Sequence, residues 1–251
     1  MCLVALNWDP DQDTPLVLVA NRDEFRARPT QGMHWWSDEP SEMLAGRDLQ
    51  AGGTWFAVDR AGNFALITNI RPGYVGKPSS LSRGALPRDF IQSGSDIRGF
   101  HQNLVQTVNQ YGGFNLLLGN RRELFWFSSD NPVGCWLDPG IHVLSNDALN
   151  TPWPKAELAR QQMIAALPDL VHGEINTAVL ESTEPFDDPV LPSTGVPLEW
   201  ERLLSAQTIL GADYGTRSRT WLRLLKDQRV CVTEAQFNES GERQSVQQFK
   251  W

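Results

Sequence analysis

Apolar residues in this chain come in short runs at both ends, with helical spacing gathered in the middle. Runs at Cys2 to Trp8, Leu16 to Asn21, Thr54 to Val58 and Phe64 to Asn69 predict strands, the last two joined by the Gly-containing turn "DRAG". In "SDIRGFHQNLVQTVNQY", Ile97, Phe100, Leu104, Val105 and Val108 share one helix face, with Ser95 as the expected cap. Strands resume at Phe114 to Leu118, Leu124 to Ser128 and His142 to Ser145. "TPWPKAELARQQMIAAL" predicts a capped helix with proline near its start and Leu158, Met163, Ile164 and Leu167 inward. "GEINTAVLES" predicts a shorter helix, and the Pro- and Asp-rich "PFDDPVLPSTGVPLEWE" a loop near the mouth of a site. Ser205 to Ile209, Arg219 to Leu225, Arg229 to Gln236 and Ser245 to Phe249 complete the strands. Strands, then helices, then strands, without repeat or linker, predict a single α+β domain over residues 1–251.

Composition narrows the functional classes. No run approaches the roughly 20 apolar residues of a membrane span, and the start "MCLVALNWDP" lacks the basic flank of a secretory signal. A formal charge of −8 argues against nucleic-acid or anionic-membrane partners. Cys2, Cys135 and Cys231 form no disulfide or zinc pattern, so a reducing cytoplasm is expected. Ten tryptophans wall a core or line an apolar pocket.

Three stretches carry candidate chemistry. "LVLVANRDEF" delivers Asn21, Arg22, Asp23 and Glu24 to a strand end, where Asp23 either orients a nucleophile, binds a substrate amine or opens a helix. In "RDLQAGGTWFAVDRAGNFALITNIRPG", Asn69 closes an apolar strand, where a carboxamide either donates to an oxyanion or satisfies turn backbone. In "HVLSNDALNTPWPK", Asn146 also ends a strand, and in "ADYGTRSRTWL" Arg217 and Arg219 flank a turn. Alternation along the second strand puts Asn21 and Asp23 on one face and Arg22 on the other. With Asp23 facing the pocket, Arg22 is expected to brace structure by pairing with Glu24 or Asp48, and Arg217 to be the cation nearest Cys2.

"ANRDEF", "LAGRD", "GGTWF", "ALITNIRPG", "SRGALPRDF", "GGFNLLLGN", "VLSNDALNTPWPK" and "YGTRSRT" together resemble the NRDE family, the transport and Golgi organisation 2 proteins, over nearly the whole chain. That family in turn resembles N-terminal nucleophile (Ntn) hydrolases of the choloylglycine hydrolase and acid ceramidase type. This implies a four-layer αββα sandwich and a cysteine that becomes residue one once Met1 is trimmed. Its thiol would attack a carbon–nitrogen amide bond of a small or lipid-like substrate, its own amine moving the protons. The resemblance matches Asp23 to the acid beside the nucleophile, Asn69 and Asn146 to two asparagines around the oxyanion, and Arg217, or alternatively Arg219, to a late arginine. Arg22, Glu24, His34, Trp55, Arg71 and Arg219 are candidates for substrate contact. One departure stands out: such hydrolases carry Arg-x-x-Asp on the second strand, which would place the arginine at Ala20, whereas here it is Arg22.

The resemblance also implies an alternative without catalysis, the binding and trafficking of haem, acyl-CoA or lipid. No cofactor is required by either reading, but haem is a possible ligand. "MHWW" is the stretch that would face it, with Met33 and His34 as iron ligands and Trp35 and Trp36 stacking on the ring.

Overall fold

The structure, a computed structural model, describes residues 2–71 and 79–251. Two antiparallel sheets lie face to face. The first runs in the spatial order β10 (Gly140–Leu144), β1 (Cys2–Trp8), β2 (Leu16–Phe25), β11 (Tyr214–Leu224), β12 (Val230–Phe237) and β13 (Arg243–Lys250). The second follows chain order through β3 (Thr30–Trp36), β4 (Met43–Asp48), β5 (Phe56–Asp59), β6 (Phe64–Asn69), β7 (Phe114–Gly119), β8 (Leu124–Ser128) and β9 (Asn131–Trp136). Helices α1 (Ala85–Gln92) and α2 (Ile97–Val105) cover the outer face of the second sheet through Leu86, Phe90, Ile91, Ile97 and Leu104. Helix α3 (Pro154–His172) covers the outer face of the first through Ala156, Ala159, Met163 and Leu170. Helix α4 (Leu198–Ser205) packs in a smaller cluster with Ile209 and Tyr214. The layers therefore run α, β, β, α.

This layering explains why β1 and β2 read as continuous apolar runs. Alternate residues point to opposite faces of a strand, and here both faces are covered. Leu3, Ala5, Val17 and Val19 meet α3, while Val4, Leu6, Trp8, Leu16, Leu18 and Ala20 meet the second sheet. At the end of the sandwich where β1 starts, the next inward positions after Val4 and Ala20 are Cys2 and Arg22, directly opposite each other. The apolar filling stops there and polar residues take over.

Several elements differ from expectation. "GEINTAVLES" forms no helix: Val179 and Leu180 are buried against α3, and Leu180 adopts a φ of 63°, which a helix cannot contain. Ser205 to Ile209 is not a strand but the end of α4 and the segment after it. Asp96, not Ser95, caps α2 by accepting from the Arg98 N–H at 3.1 Å. Ile164 faces solvent, because Met163 takes the inward position on α3. The stretch "TQGMHWW", for which no strand is expected, is an edge strand. Pro72 and Gly73 of "ALITNIRPG", and Met1, lie outside the described residues.

Candidate active site

Cys2 stands at the head of β1, half-buried, in a cleft of roughly 140 Å³ where the two sheets part. Its walls include Arg22, Asp23 and Glu24 from β2, Trp55 before β5, Asn69 at the end of β6, and Ser82, Arg83 and Gly84 before α1. The register decides who faces the thiol. Directly paired residues of antiparallel strands share a face, so the Cys2–Arg22 pairing puts the Arg22 guanidinium on the thiol's side. Burial pushes the Cys2 thiol up, the Asp23 charge adds to this, and Arg22 and a backbone bond from Asp23 oppose it.

Arg22 has only 6% of its side chain exposed. Its guanidinium lies 4.1 Å from the centre of the Trp55 ring and 3.8 Å from Glu24. Gly46 in β4 makes room for that ring, since a Cβ there would lie 2.3 Å from it. Nη1 of Arg22 is buried and has no hydrogen-bond partner among the described residues. Glu24 also reaches Arg28 at 3.9 Å, and Arg28 is bound to Asp48 at 2.6 and 3.0 Å. Although burial acts against it, the Arg28 pair holds the Asp48 carboxyl below its ordinary value.

Asp23 accepts from the Thr216 hydroxyl at 2.6 Å. Burial raises its carboxyl, opposed by neighbouring positive charge, Lys155 and Arg22 included. Lys155, in the first turn of α3, is buried and donates to the Leu204 carbonyl at 2.8 Å. Burial and then Arg71 lower its ammonium to about 8, against the attraction of Asp23 and Cys2.

Asn69 is fixed through its backbone: the Asn146 amide donates to its carbonyl at 2.8 Å, and the Asn146 carbonyl accepts from the Arg71 N–H at 2.8 Å. The preceding residue of β6 is tied to the same segment, the Thr68 hydroxyl donating to the Ser145 carbonyl at 2.7 Å. Asn146 thus props Asn69 from behind and is absent from the cleft lining, contrary to its expected place at the oxyanion.

The late arginines are also placed differently from expectation. Arg217 sits at a bulge between Thr216 and Ser218 and donates to the Phe25 and Arg28 carbonyls, so it braces the end of β2. Arg22, not Arg217, is the cation beside Cys2. Its pairing with Glu24 is present as expected, but on the cleft side. Arg219 pairs with Asn21 on the α3 face and spends its donors on Asn21, Glu181, Leu180 and Thr208 at 2.7–2.9 Å. Arg71 pairs with Glu201 at 2.8 Å outside the cleft lining. His34 lies in β3, bonded to the Gly32 carbonyl and stacked on Trp36. Alternation sends Met33 and Trp35 into the core between the sheets and Trp36 to the opposite face. The strand therefore separates Met33 from His34, and Trp35 from Trp36, and builds no joint haem face. Among the described residues no group of three His, Cys, Asp or Glu is placed to hold a metal ion.

Arg28, Arg83, Lys155 and Thr216 were not singled out from sequence, and Asp48 only as a partner for Arg22. Four of them lie inside the stretches that carry the family resemblance: Asp48 in "LAGRD", Arg83 in "SRGALPRDF", Lys155 in "VLSNDALNTPWPK" and Thr216 in "YGTRSRT".

A profile of the family described as "Transport and Golgi organisation 2" matches residues 1–239. The mouse "Transport and Golgi organization 2 homolog" is 28% identical, over 93% of this chain and 92% of that protein. The cattle "Transport and Golgi organization protein 2 homolog" is 29% identical over the same shares. Among solved structures, the "mutant C2A conjugated bile acid hydrolase from Clostridium perfringens" aligns with 100% of this chain and 97% of its own, at a TM-score of 0.44 and 8% identity. The chain belongs to the transport and Golgi organisation 2 family.

Proposed function

We propose that this family member is an N-terminal-cysteine hydrolase of carbon–nitrogen amide bonds. The observation that carries the reading is the position of Cys2: a thiol at the start of a central strand, opening into a cleft, with a cation opposite and Asn69 across from it. Removal of Met1 completes the site by freeing the α-amino group of Cys2, whose ordinary pKa of roughly 7.7–8.0 suits proton transfer near neutral pH. The raised thiol fits this role. A neutral thiol needs a base at hand, and the amine on its own residue is one.

In the first half-reaction the Cys2 sulfur bonds to the amide carbonyl carbon while the thiol proton passes to the amine. The carbonyl oxygen becomes an oxyanion, for which the Asn69 carboxamide supplies a donor on a backbone that Asn146 anchors. The carbon–nitrogen bond then breaks, and the leaving amine takes the proton. In the second half-reaction water adds to the thioester, the amine again relaying the proton, and the acid departs as the thiol is restored. The net change is amide plus water to acid plus amine. Asp23, bonded to Thr216, is a positioning residue beside the thiol.

The test is hydrolysis of a panel of N-acyl amides by protein whose intact mass shows loss of Met1. Release of acid and amine that disappears in Cys2→Ala supports the reading. Binding of the same compounds without turnover supports carriage instead, and equal turnover by Cys2→Ala places the chemistry elsewhere.

A further inference from the structure

The cleft around Cys2 is lined by three arginines, Arg22, Arg28 and Arg83, and three carboxylates, Asp23, Glu24 and Asp48, but their pairing is uneven. Arg28 is committed to Asp48 at 2.6 Å. Glu24 is divided between Arg22 at 3.8 Å and Arg28 at 3.9 Å, both longer than a hydrogen bond, while its Oε1 accepts from the Phe25 N–H. Arg83 donates one Nη1 bond to the Gly113 carbonyl and makes no ion pair among the described residues. Arg22 keeps Nη1 buried without a hydrogen-bond partner among the described residues. A guanidinium left short of partners in so closed a place costs stability, and such exceptions call for an explanation.

The start of α1 adds to the same field. Ser82, Arg83 and Gly84 line the cleft, and α1 follows at once with no acidic residue in its first turn and no side-chain cap. The Ala85 and Leu86 N–H groups donate to the Ser82 and Arg83 carbonyls and Pro87 has none, so the helix start favours an anion through its partial positive charge rather than through free donors. Gly53 brings the parts together: the Thr54 N–H donates to the Gly84 carbonyl at 2.7 Å, and a Cβ on Gly53 would lie 2.3 Å from that oxygen.

We propose that Arg22, Arg83 and the start of α1 form an anion subsite beside Cys2, so that the substrate carries a carboxylate or phosphate close to the bond attacked. This rests on Cys2 being the nucleophile and adds the class of substrate. The Nη1 of Arg22 supplies the direct hydrogen bond, Arg83 the second charge, and Trp55 holds the Arg22 plane in place. Paired residues of this kind have Cβ atoms roughly 4.5–5.5 Å apart, so an acidic group one or two bonds from the attacked carbon is within reach.

Two alkylating agents of nearly equal size test it: iodoacetate, which is anionic, and iodoacetamide, which is neutral. Their rates at Cys2, followed by peptide mass spectrometry, are divided by their rates on 2-mercaptoethanol. The ratio cancels the thiolate fraction, so a change in thiol pKa leaves it alone. The expected preference for iodoacetate is about tenfold, the worth of some 1.4 kcal/mol of charge attraction. Arg22→Gln should abolish it. Arg83→Gln, at a half-buried position, should reduce it in a chain whose fold does not depend on the buried guanidinium. Inorganic phosphate and acetate as competitors identify the group: slowing of the iodoacetate reaction at lower phosphate concentration marks a phosphate, and at lower acetate concentration a carboxylate. A Cys2 that reacts with iodoacetamide but shows no preference for iodoacetate overturns the subsite while leaving the nucleophile in place. A Cys2 inert to both reagents overturns both.

Discussion

Cys2, Asp23, Asn69 and Trp55 were legible as candidates, and all four line one cleft. The side of Arg22 was not. Sequence alternation shows that Arg22 and Asp23 point apart, but which of them shares the face of Cys2 depends on strand register, and a one-residue slip exchanges the faces. Register needs both strands at once, so it is invisible in either. The consequence can be measured. Arg22→Gln should raise the Cys2 thiol pKa by removing the opposing cation, whereas Arg217→Gln should leave it unchanged, since Arg217 is turned to the Phe25 and Arg28 carbonyls. A pH titration of iodoacetamide alkylation reads both variants, and the reverse result would put the wrong arginine in the cleft. Asn69→Ala should lower amide turnover by about 10²–10³-fold, the usual effect of losing one oxyanion donor, with the melting temperature nearly unchanged. Turnover near the wild-type rate would remove Asn69 from that role.

At the scale of elements, long periodic strands were readable, whereas segments ordered by side-chain bonding were not. "GEINTAVLES" has apolar residues at helical spacing, yet the Leu180 carbonyl accepts from Asn21, Arg219 and Thr208, and those bonds hold an irregular path. Nothing local encodes partners that lie up to 159 residues away. The turn between β4 and β5 carries a prediction. Gly53→Ala forces a Cβ against the Gly84 carbonyl, a backbone atom that cannot swing aside. The cost should be about 1–3 kcal/mol, read as a melting temperature several degrees lower, and an unchanged value would mean that the approach to α1 is not tight. Helix α3 carries another through Lys155. Its ammonium falls from an ordinary 10.5 to about 8 in the folded chain, so between those values the unfolded chain binds more protons and stability must rise with pH. Wild-type protein should therefore gain stability relative to Lys155→Met as the pH is raised from about 8 towards 10.5. A constant difference between the two melting curves would show that the buried amine does not titrate in that window.

At the scale of the molecule, the alternation that sends Val4 and Leu6 between the sheets and Leu3 and Ala5 towards α3 makes β1 a central strand, covered on both faces. Cys2, the first residue of that strand, stands where the sandwich opens. The four layers came from the family resemblance rather than from periodicity, which supplied strands and helices but not their stacking. Long-range pairing, such as β11 against β2, leaves no local mark beyond turn residues and burial. The same packing that hides the start of β1 pushes the Cys2 thiol up, so the proposed attack needs a base, the role given to the amine of a trimmed chain end. The most direct measurement is the acylation of trimmed protein by p-nitrophenyl acetate, quenched during turnover and mapped by peptide mass spectrometry. A transient acetyl group should form on the peptide that begins with Cys2, with a burst of p-nitrophenol, and be lost in Cys2→Ala. Acetylation confined to Cys135 or Cys231, with the Cys2 peptide unmodified throughout, would contradict the proposed role of Cys2.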